Sequence, residues 1–277
     1  MSLSRLALRL AAVEALCPSS VAETGPWPTW AGSNVYDSRI TPFADADAWQ
    51  TFIEQVQGSP LVTVYTEEQE TDPTTGEYPA DREMVDLVIE IMIAVGASVE
   101  VEGLDGQPLQ VGSLEAPITS PQHEAMLDML EHQIRSLLDP MSPAASLPYT
   151  KVARELHHVK SAPVRDATDR LSRQAARTLT FKLRVAHAAP YANAAAAIAG
   201  GAADDIANLP EPMLSVAKAL DPQSAAGQLV RQIARGQPPA PVLTPMNDMR
   251  VYTGLNRGAA APTAANADIV SDVQLPR

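Results

Sequence analysis

The sequence has little cysteine, few aromatic residues and no long apolar run. Cys17 is the only cysteine among 277 residues, so the chain alone can form neither a disulfide nor a cysteine-based metal site. Such a chain is expected to fold in a reducing cytoplasm. Apolar runs of about 18 residues, the length that a membrane-spanning helix needs, do not occur, and no association with a membrane is expected.

The low aromatic content, 4% against a hydrophobic content of 45%, leaves the core to Leu, Val, Ile, Ala and Met. A chain of 277 residues suffices for one large domain, or for one domain with an appendage. The segment MSLSRLALRLAAVEALCPSS at 1–20 has the outline of a signal peptide. Arg9 and Glu14 interrupt its apolar part, however, and no convincing small-residue cleavage site follows, so we expect an amphipathic helix instead.

Basic residues are scarce in the first half of the chain. Residues 1–149 carry 5 Lys and Arg against 23 Asp and Glu, residues 150–187 carry 9 against 3, and residues 188–277 carry 6 against 7. The net charge of −13 argues against attraction of nucleic acid by the chain as a whole. The segregation fits copies of the chain that meet acidic surface to basic surface, and it also fits two separate solvated surfaces.

The sequence also lacks the motifs of common enzymatic chemistry. It has no G-x-S-x-G motif, and IAGGAADD at 198–205 has adjacent glycines without the rest of a phosphate-binding loop. His157 and His158 are neighbours, so their side chains point in different directions, which favours a surface or interface role over a metal site. Asp86 and Glu90 would lie about 13 Å apart on a strand. No catalytic residue, metal or cofactor is expected.

Alternating apolar residues predict strands. The predicted strands are PLVTVYTE at 60–67, REMVDLVIEIMIAV at 82–95, a short SVEVEG at 98–103 and ARTLTFKLRVA at 176–186. Every second residue from Val85 to Val95 is apolar, and so is every second residue from Leu179 to Val185. The acidic loop EQETDPTTGEYPAD at 68–81 joins the first two strands, which indicates an antiparallel hairpin.

Three- and four-residue spacings predict helices. The predicted helices span 2–17, 45–57, 119–139, 210–221 and 223–235. The apolar stripe of the first consists of Leu3, Leu6, Leu10, Val13 and Cys17. The helix at 119–139 has Thr119 or Ser120 to cap it and Pro121 in its first turn. The segment TKVARELHHVKSAPV at 150–164 is basic and mixed, and no element is assigned to it.

Beyond about residue 187 the composition changes. Residues 188–277 hold 23 Ala and 10 Pro and show no alternating strand. The last part of the chain, from Gly236 onward, has an extended, Pro-rich pattern. Such a segment cannot bury a core of its own and is either disordered or ordered by a partner.

The segment NVYDSRITPF at 34–43 combines a strand pattern with polar side chains. Asp37 and Arg39 would share one face of the strand, and Ser38 the other. An exposed edge strand needs polar residues that block pairing, or a partner that pairs with it. No base, metal ligand or phosphate loop is nearby in the sequence, so pairing is favoured over catalysis.

The first half of the chain resembles a known family. The order of LALRLAAVEAL, GPWPTWAGSNVYDSRITPF, PLVTVYTEE, an acidic loop and REMVDLVIEIMIAV is similar to that in tail-terminator, or tail-completion, proteins of long-tailed bacteriophages, prophages and related gene-transfer particles. The resemblance covers about residues 3–140 and extends through the strand at 178–186. VYDSRI and VDLVIEI are its most distinctive parts. Residues 188–277 resemble nothing in this family.

The resemblance implies an α+β domain over residues 1–187, with an antiparallel sheet of about four to five strands and two or more helices. Residues 188–277 would form an Ala/Pro-rich extension with short helices and an extended arm. The family's role implies a structural virion protein without enzymatic activity. It forms a hexameric ring on the last ring of the tail tube, ends tube polymerisation and contacts the head–tail connector, or neck, proteins.

Within such a ring, DNA would pass through the channel without specific binding. We expect two groups of side chains at subunit contacts and one in the channel. The predicted interface residues are Tyr36, Asp37, Ser38, Arg39, Arg165, Arg170 and Arg173. The predicted channel residues, in the acidic loop, are Glu67, Glu68, Glu70 and Asp72.

Three other interpretations stay open at this point. The chain could be a head–tail connector, which contacts the portal side rather than the tube. It could be a small cytoplasmic hydrolase that uses carboxylates with His157 or His158. A plain interaction module with a disordered tail is the third.

Overall fold

The structure is a computed structural model of the whole chain. It describes residues 3–38, 51–52, 54, 56–71, 83–102, 108–165, 173–186, 206–207, 209–235, 249–253 and 269–273. For residues 71, 96–102, 108–115, 165, 173, 249–253 and 269–273 the description covers the backbone alone.

The described residues form five α-helices and nine strands. The helices are α1 (Leu3–Leu16), α2 (Pro121–Leu138), α3 (Leu147–Val152), α4 (Met213–Ala219) and α5 (Ala225–Ala234), with a 3₁₀ turn at Ser19–Val21. The strands are β1 (Val35–Asp37), β2 (Pro60–Thr71), β3 (Glu83–Ile93), β4 (Val95–Glu102), β5 (Pro108–Glu115), β6 (Ala153–Arg165), β7 (Arg173–Val185), β8 (Met249–Thr253) and β9 (Ile269–Val273).

The central sheet has five strands in the order β1-β2-β3-β7-β6. All of its pairs are antiparallel except β1 with β2, which are parallel. Two further hairpins, β4-β5 and β8-β9, form separate two-stranded sheets. The predicted α+β class is therefore confirmed, with a mixed rather than purely antiparallel sheet.

The two long alternating segments are strands with one buried face, as predicted, and they lie next to each other in the sheet. Val85, Leu87, Ile89, Ile91 and Ile93 of β3 are buried on one face. Leu179, Phe181 and Leu183 of β7 lie opposite Ile89, Leu87 and Val85 and, like Val185, are buried on the same face. Helices α1 and α2 contact this face, so the core lies between the sheet and the helices.

The hairpin of β2 and β3 is confirmed, but β2 is longer than its sequence pattern predicts. Pairing with β3 resumes at Gln69 after an irregularity that begins beyond Thr66, and it continues to Thr71. Arg5 of α1 stabilises this irregularity, because its guanidinium donates hydrogen bonds to the carbonyl oxygens of Thr66 and Glu67, both at 2.7 Å. The segment predicted as the start of an acidic loop is thus largely strand.

Helix α1 is buried around most of its circumference, which corrects the narrow predicted stripe. Its buried residues include Ala7, Leu8, Ala11 and Ala15, whereas the predicted stripe residue Leu3 is only partly buried. The helix contacts the sheet on one side and α3 and α4 on another. A helix enclosed in this way needs apolar or small residues all round.

Helix α2 confirms its predicted boundaries and cap. Ser120 Oγ accepts a hydrogen bond from the backbone N–H of His123 (3.2 Å), and Pro121 lies in the first turn. Leu127, Leu130 and Ile134 form its buried stripe. Its connection to β6 includes Tyr149, whose buried hydroxyl donates to the carbonyl oxygen of Leu138 at 2.8 Å.

Helices α4 and α5 also confirm the predicted pair at 210–221 and 223–235, and they pack into the main core. Met213, Val216 and Val230 belong to the same apolar cluster as α1 and β3. The described part of the predicted extension at 206–234 therefore shares the core of the preceding residues. The remainder of the predicted arm lies outside the described residues, apart from β8 and β9.

Among the described residues, no helix combines the length and the apolar character that crossing a membrane requires.

Candidate functional site

Three of the seven residues that the sequence predicts at subunit contacts lie on the edge strands of the central sheet, namely Tyr36, Asp37 and Arg165. β1 lies at one edge and β6 at the other, about 19 Å apart if each strand spacing is about 4.8 Å. In the described part of the chain, no further strand pairs with the outer side of β1 or β6. Both edges thus expose backbone groups that can pair with another chain.

Tyr36 and Asp37 at the β1 edge are held by contacts within the chain. The ring of Tyr36 packs edge-on against Phe52, with 6.1 Å between ring centroids, and burial raises the pKa of its phenol to about 12. Asp37 forms an ion pair with Arg9 of α1. The polar edge expected from the sequence is therefore present, and α1 neutralises part of its charge.

Ser38 ends β1 with a left-handed backbone. Its φ is +67°, which is uncommon outside glycine. Its N–H donates to the carbonyl oxygen of Val64 (2.7 Å), and its hydroxyl donates to Asp37 Oδ1 (2.9 Å). This turn ends the strand earlier than the sequence predicts, so Ser38 does not continue its alternation. Arg39 lies outside the described residues.

Two of the predicted basic interface residues lie on the opposite side of the sheet. Arg165 and Arg173 are paired at the ends of β6 and β7, with only their backbones described. Arg170 lies outside the described residues. The structure therefore separates the two predicted interface groups, Tyr36–Ser38 and the arginines, by the width of the sheet.

The sheet face that α1 and α2 leave uncovered has acidic residues on β2 and β3 and basic residues on β7 and β6. Glu70, Asp86 and Glu90 share this face with Lys182 and Lys160 across the strand registers. Glu70 and Lys182 form an ion pair at 3.1 Å across β3, and this contact raises the pKa of Lys182. Tyr65 donates a hydrogen bond to Glu90 at 2.7 Å.

The predicted acidic loop requires a correction. Glu67, Glu68 and Glu70 lie on β2 because backbone pairing with β3 continues past them, while Asp72 lies outside the described residues. Glu67 and Glu68 are exposed on β2, beyond the residues that pair with β1, and the charge of Glu68 helps to raise the pKa of Lys182. Their assignment to a channel stays a prediction.

The basic edge at β6 carries exposed charges of the opposite sign. Arg154 and Lys160 are exposed on β6, as are His157 and His158. Glu155 is paired with Arg184 at 2.8 Å and lies 3.8 Å from His157. Within the described ranges no group of three or more His, Cys, Asp or Glu is arranged for a metal ion.

A polar cluster beneath the sheet was not found from the sequence. Arg177 of β7 contacts three carboxylates of α2, namely Glu124 (3.0 Å), Asp128 (2.8 Å) and Glu131 (2.6 Å). Burial alone would raise the pKa of Glu131, but hydrogen bonds from Arg177, Ser161 and Arg135 outweigh it and lower that pKa. The Glu124, Asp128 and Glu131 spacing on one helix face is the only signal that the sequence offers.

Comparison with protein-family models gives no match for this chain, and comparison with curated proteins gives none either.

Proposed function

We propose that this chain is a structural virion protein that caps the head-proximal end of a phage tail tube as a ring. It ends tube polymerisation and joins the tail to the head–tail connector. The observation that supports this proposal best is a sheet with exposed carboxylates on β2 near one open edge and exposed basic side chains on β6 at the other. The family resemblance of residues 3–140 supplies the biological setting.

Opposite edges favour a head-to-tail contact between copies. Glu67 and Glu68 are exposed on β2, beside the β1 edge, and Arg154 and Lys160 are exposed on β6 at the other edge. When two different surfaces of one chain meet, the assembly is heterologous, and it closes into a ring if the rotation per subunit permits. Charge complementarity between the edges fixes the register and disfavours like-to-like pairing.

Helix α1 already neutralises part of the charge on the acidic side of the sheet, which leaves fewer carboxylates for contact with a neighbouring subunit. Arg9 pairs with Asp37, and Arg5 binds the carbonyl oxygens of Thr66 and Glu67. The exposed carboxylates of Glu67 and Glu68 have no ion pair within 4 Å among the described residues and can contact a neighbouring subunit. The contact that we propose therefore joins these two side chains to Arg154 and Lys160 of the next copy.

A charge-swap experiment tests this contact in the full chain. Glu68→Lys alone and Lys160→Glu alone are each expected to abolish rings in mass photometry, because like charges then face each other. The double variant restores opposite charges and is expected to restore rings. Lys218→Glu, an exposed lysine on α4, is the matched control and should assemble normally. Rings that form equally in all four variants would contradict the contact.

The partners that follow from this function are further copies of the chain, six in the ring that the family resemblance implies, the tail tube protein and the neck proteins. DNA passes through the ring, and the chain has its place in the virion at the head-proximal end of the tail. Pull-down with purified tube protein and with portal-side connector proteins separates the terminator from the connector. Binding to the connector proteins alone would favour a head–tail connector over a tail terminator.

A further inference from the structure

The loop between the 3₁₀ turn and β1 forms an open pocket with two exposed indole rings. Trp27 and Trp30 are 43% and 56% exposed, although tryptophan side chains are highly buried in most folded proteins. Together with Ser59 and Pro60, where β2 begins, they line a pocket of about 480 Å³, the Trp27–Trp30 pocket. This volume lies within the range of ordinary ligand sites. Two indoles exposed in one concave surface indicate a binding site for another molecule.

The loop that carries the indoles is held in place by the rest of the chain. The ring of Trp27 lies against Gly25 and Gly32, at which an added Cβ would be 3.4 Å and 3.7 Å from it. The backbone N–H of Trp30 donates to Gln133 Oε1 of α2 at 2.9 Å. The pocket is therefore largely formed before a ligand binds, which keeps the entropic cost of binding low.

Several polar groups of the pocket keep hydrogen-bonding capacity for a ligand. Within the described parts of the chain, the hydroxyls of Ser33 and Ser59 and the indole N–H of Trp30 take part in no hydrogen bond. The side-chain amide of Asn34 donates one long hydrogen bond, to the carbonyl oxygen of Pro60 at 3.5 Å. Hydroxyl and amide groups both donate and accept. The lining can therefore bond a ligand that itself has donors and acceptors.

The residues that line the pocket also restrict the class of ligand. No charged side chain is among the described residues of the lining. Phosphate and carboxylate groups are bound mainly by Arg, Lys or helix N-termini, and divalent cations by carboxylates, so neither kind of ion fits. A proline-rich peptide needs donors for its carbonyl oxygens but few acceptors, and it would leave part of this lining unpaired. A neutral ligand with hydroxyl groups and an apolar face uses all of it.

A neutral sugar ring has this combination of groups. Its hydroxyls both donate and accept, and where they are equatorial they lie around the rim of the ring. Each face of the ring then presents C–H groups, whose slight positive charge is attracted to the negative face of an indole. Single contacts of this kind are weak, so a sugar site needs both aromatic surface and hydrogen bonds, and this pocket offers both.

We infer that the Trp27–Trp30 pocket binds a neutral saccharide with equatorial hydroxyls, such as a β-linked glucoside. The two indoles contact the C–H faces of the sugar, and Ser33, Asn34 and Ser59 exchange hydrogen bonds with its hydroxyls. An open pocket buries only part of its ligand, so we expect a dissociation constant of about 1 mM. This inference does not rest on the proposed role at the end of a phage tail.

Titration of the ¹⁵N-labelled full chain with cellobiose, and separately with N,N′-diacetylchitobiose, tests this inference. Trp27→Phe and Trp30→Phe each delete one indole N–H signal and thereby assign it. Both indole signals of the parent chain are expected to shift and to saturate with at least one of the disaccharides. Sorbitol, which has hydroxyls but no ring, is the matched ligand and should shift neither signal. The inference is overturned if neither disaccharide gives saturation at about 50 mM, which would nearly fill a site of about 1 mM, or if sorbitol gives equal shifts.

Two variants separate binding in this pocket from binding elsewhere. Trp30→Ala is expected to weaken the disaccharide about three- to tenfold through the loss of one aromatic face. Ser59→Ala should weaken it by a similar factor, the effect of one lost hydrogen bond, and it serves as the test if Trp30→Ala does not fold. Amide signals of β3 and β7 report whether each variant is folded.

Met141→Ala is the matched control, at an apolar side chain that is 84% exposed and lies outside the pocket. It should bind the disaccharide as the parent chain does. Unchanged affinity in both pocket variants would contradict the inference. Indole shifts with a hexaproline peptide and with neither disaccharide would also contradict it and would indicate a peptide site instead.

Discussion

A single residue, Arg177 of β7, links helix α2 to the sheet. Its guanidinium contacts Glu124, Asp128 and Glu131 and is only 14% exposed. Glu131 is similarly covered at 13% and also accepts a hydrogen bond from Ser161 Oγ at 2.9 Å. Removal of Arg177 would leave Arg135, which pairs with Glu131 at 2.7 Å, as the only described cation beside these three carboxylates, and this costs more than the loss of an exposed pair.

Arg177→Met is therefore expected to lower the free energy of unfolding by about 2 kcal/mol, between the values for an exposed pair and for a fully buried pair, because the cluster is partly solvated. Urea unfolding followed by circular dichroism measures this change. Lys218→Met, at an exposed lysine, should change the free energy by less than about 0.5 kcal/mol. Equal effects of the two substitutions would show that the cluster adds nothing to stability.

Two buried carboxylates should respond to pH in opposite directions. Burial of Glu131 acts to raise its pKa. Hydrogen bonds from Arg177, Ser161 and Arg135 outweigh this effect, so the pKa of Glu131 is lowered. Burial dominates at Glu14, whose pKa is raised despite hydrogen bonds from Ser19. Both carboxyls have an ordinary pKa of 4.5. Ionised Glu131 thus stabilises the fold above pH 4.5, and its contribution is lost as pH falls further. Glu14 favours the fold below pH 4.5, and this contribution is lost as pH rises through the raised pKa.

Glu131→Gln should accordingly cost most stability at pH 7 and progressively less below pH 4.5. Glu14→Gln should cost less at pH 7 than at pH 4, because the wild-type carboxyl is most favourable when protonated. Urea unfolding of both variants and the parent at several pH values gives the two slopes. Slopes of the same sign would contradict the assignment of opposite pKa shifts.

One glycine, Gly227, allows helix α5 to pack closely against the turn that precedes it. Ser224 caps the helix, since its Oγ accepts from the N–H of Gly227 at 3.0 Å. A Cβ at Gly227 would lie 2.1 Å from the carbonyl oxygen of Asp221, an atom of the backbone that cannot move aside cheaply. The α4–α5 turn and the helix therefore pack together only because this position has no side chain.

Gly227→Ala is expected to lower the free energy of unfolding by about 1–3 kcal/mol through overpacking. Intrinsic helix propensity alone would give a gain of about 1 kcal/mol, so the sign of the effect is diagnostic. Amide hydrogen exchange in α5 should accelerate as well. Gln228→Ala, an exposed position on the same helix, is the control. A stabilised Gly227→Ala variant would show that the turn can move.

Elements with a complete local pattern could be predicted from the sequence. β3 and β7 alternate because one face of each is buried, and α2 carries its own cap at Ser120. β6 and the wide burial of α1 could not be predicted in this way. β6 is an edge strand defined by its pairing with β7, and α1 is enclosed by α3 and α4 from distant parts of the chain.

The residues of the candidate site could likewise be predicted only where a local sequence pattern defines them. Polar residues in a strand pattern indicated an edge at Asp37, which the structure has. The partner of Asp37, Arg9, lies 28 residues earlier in the chain, and no local pattern connects them. Strand β2 also continues into the acidic segment, where Arg5 binds the carbonyl oxygens of Thr66 and Glu67. The spacing of apolar residues in the sequence could not predict these contacts.

Among the described residues, the central sheet has exposed acidic side chains on β2 and β3 and exposed basic side chains on β6 and β7. Residues 1–149 supply the acidic strands, and residues 150–187 supply β6 and β7 with their excess of basic residues. This order of the chain places the two charge classes on opposite sides of one sheet. A molecule of this kind is suited to repeated contact with copies of itself, which is what ring formation on a tail tube requires.

The most direct test of this account is the length of tails made in the absence of the protein. Electron microscopy of lysates from a phage whose copy of this gene is deleted should show overlong tubes without heads, and expression of the full chain from a plasmid should restore normal tails. Tubes of normal length in the deletion would contradict the terminator function. Normal tubes detached from heads would then indicate a connector, and intact virions would exclude both functions.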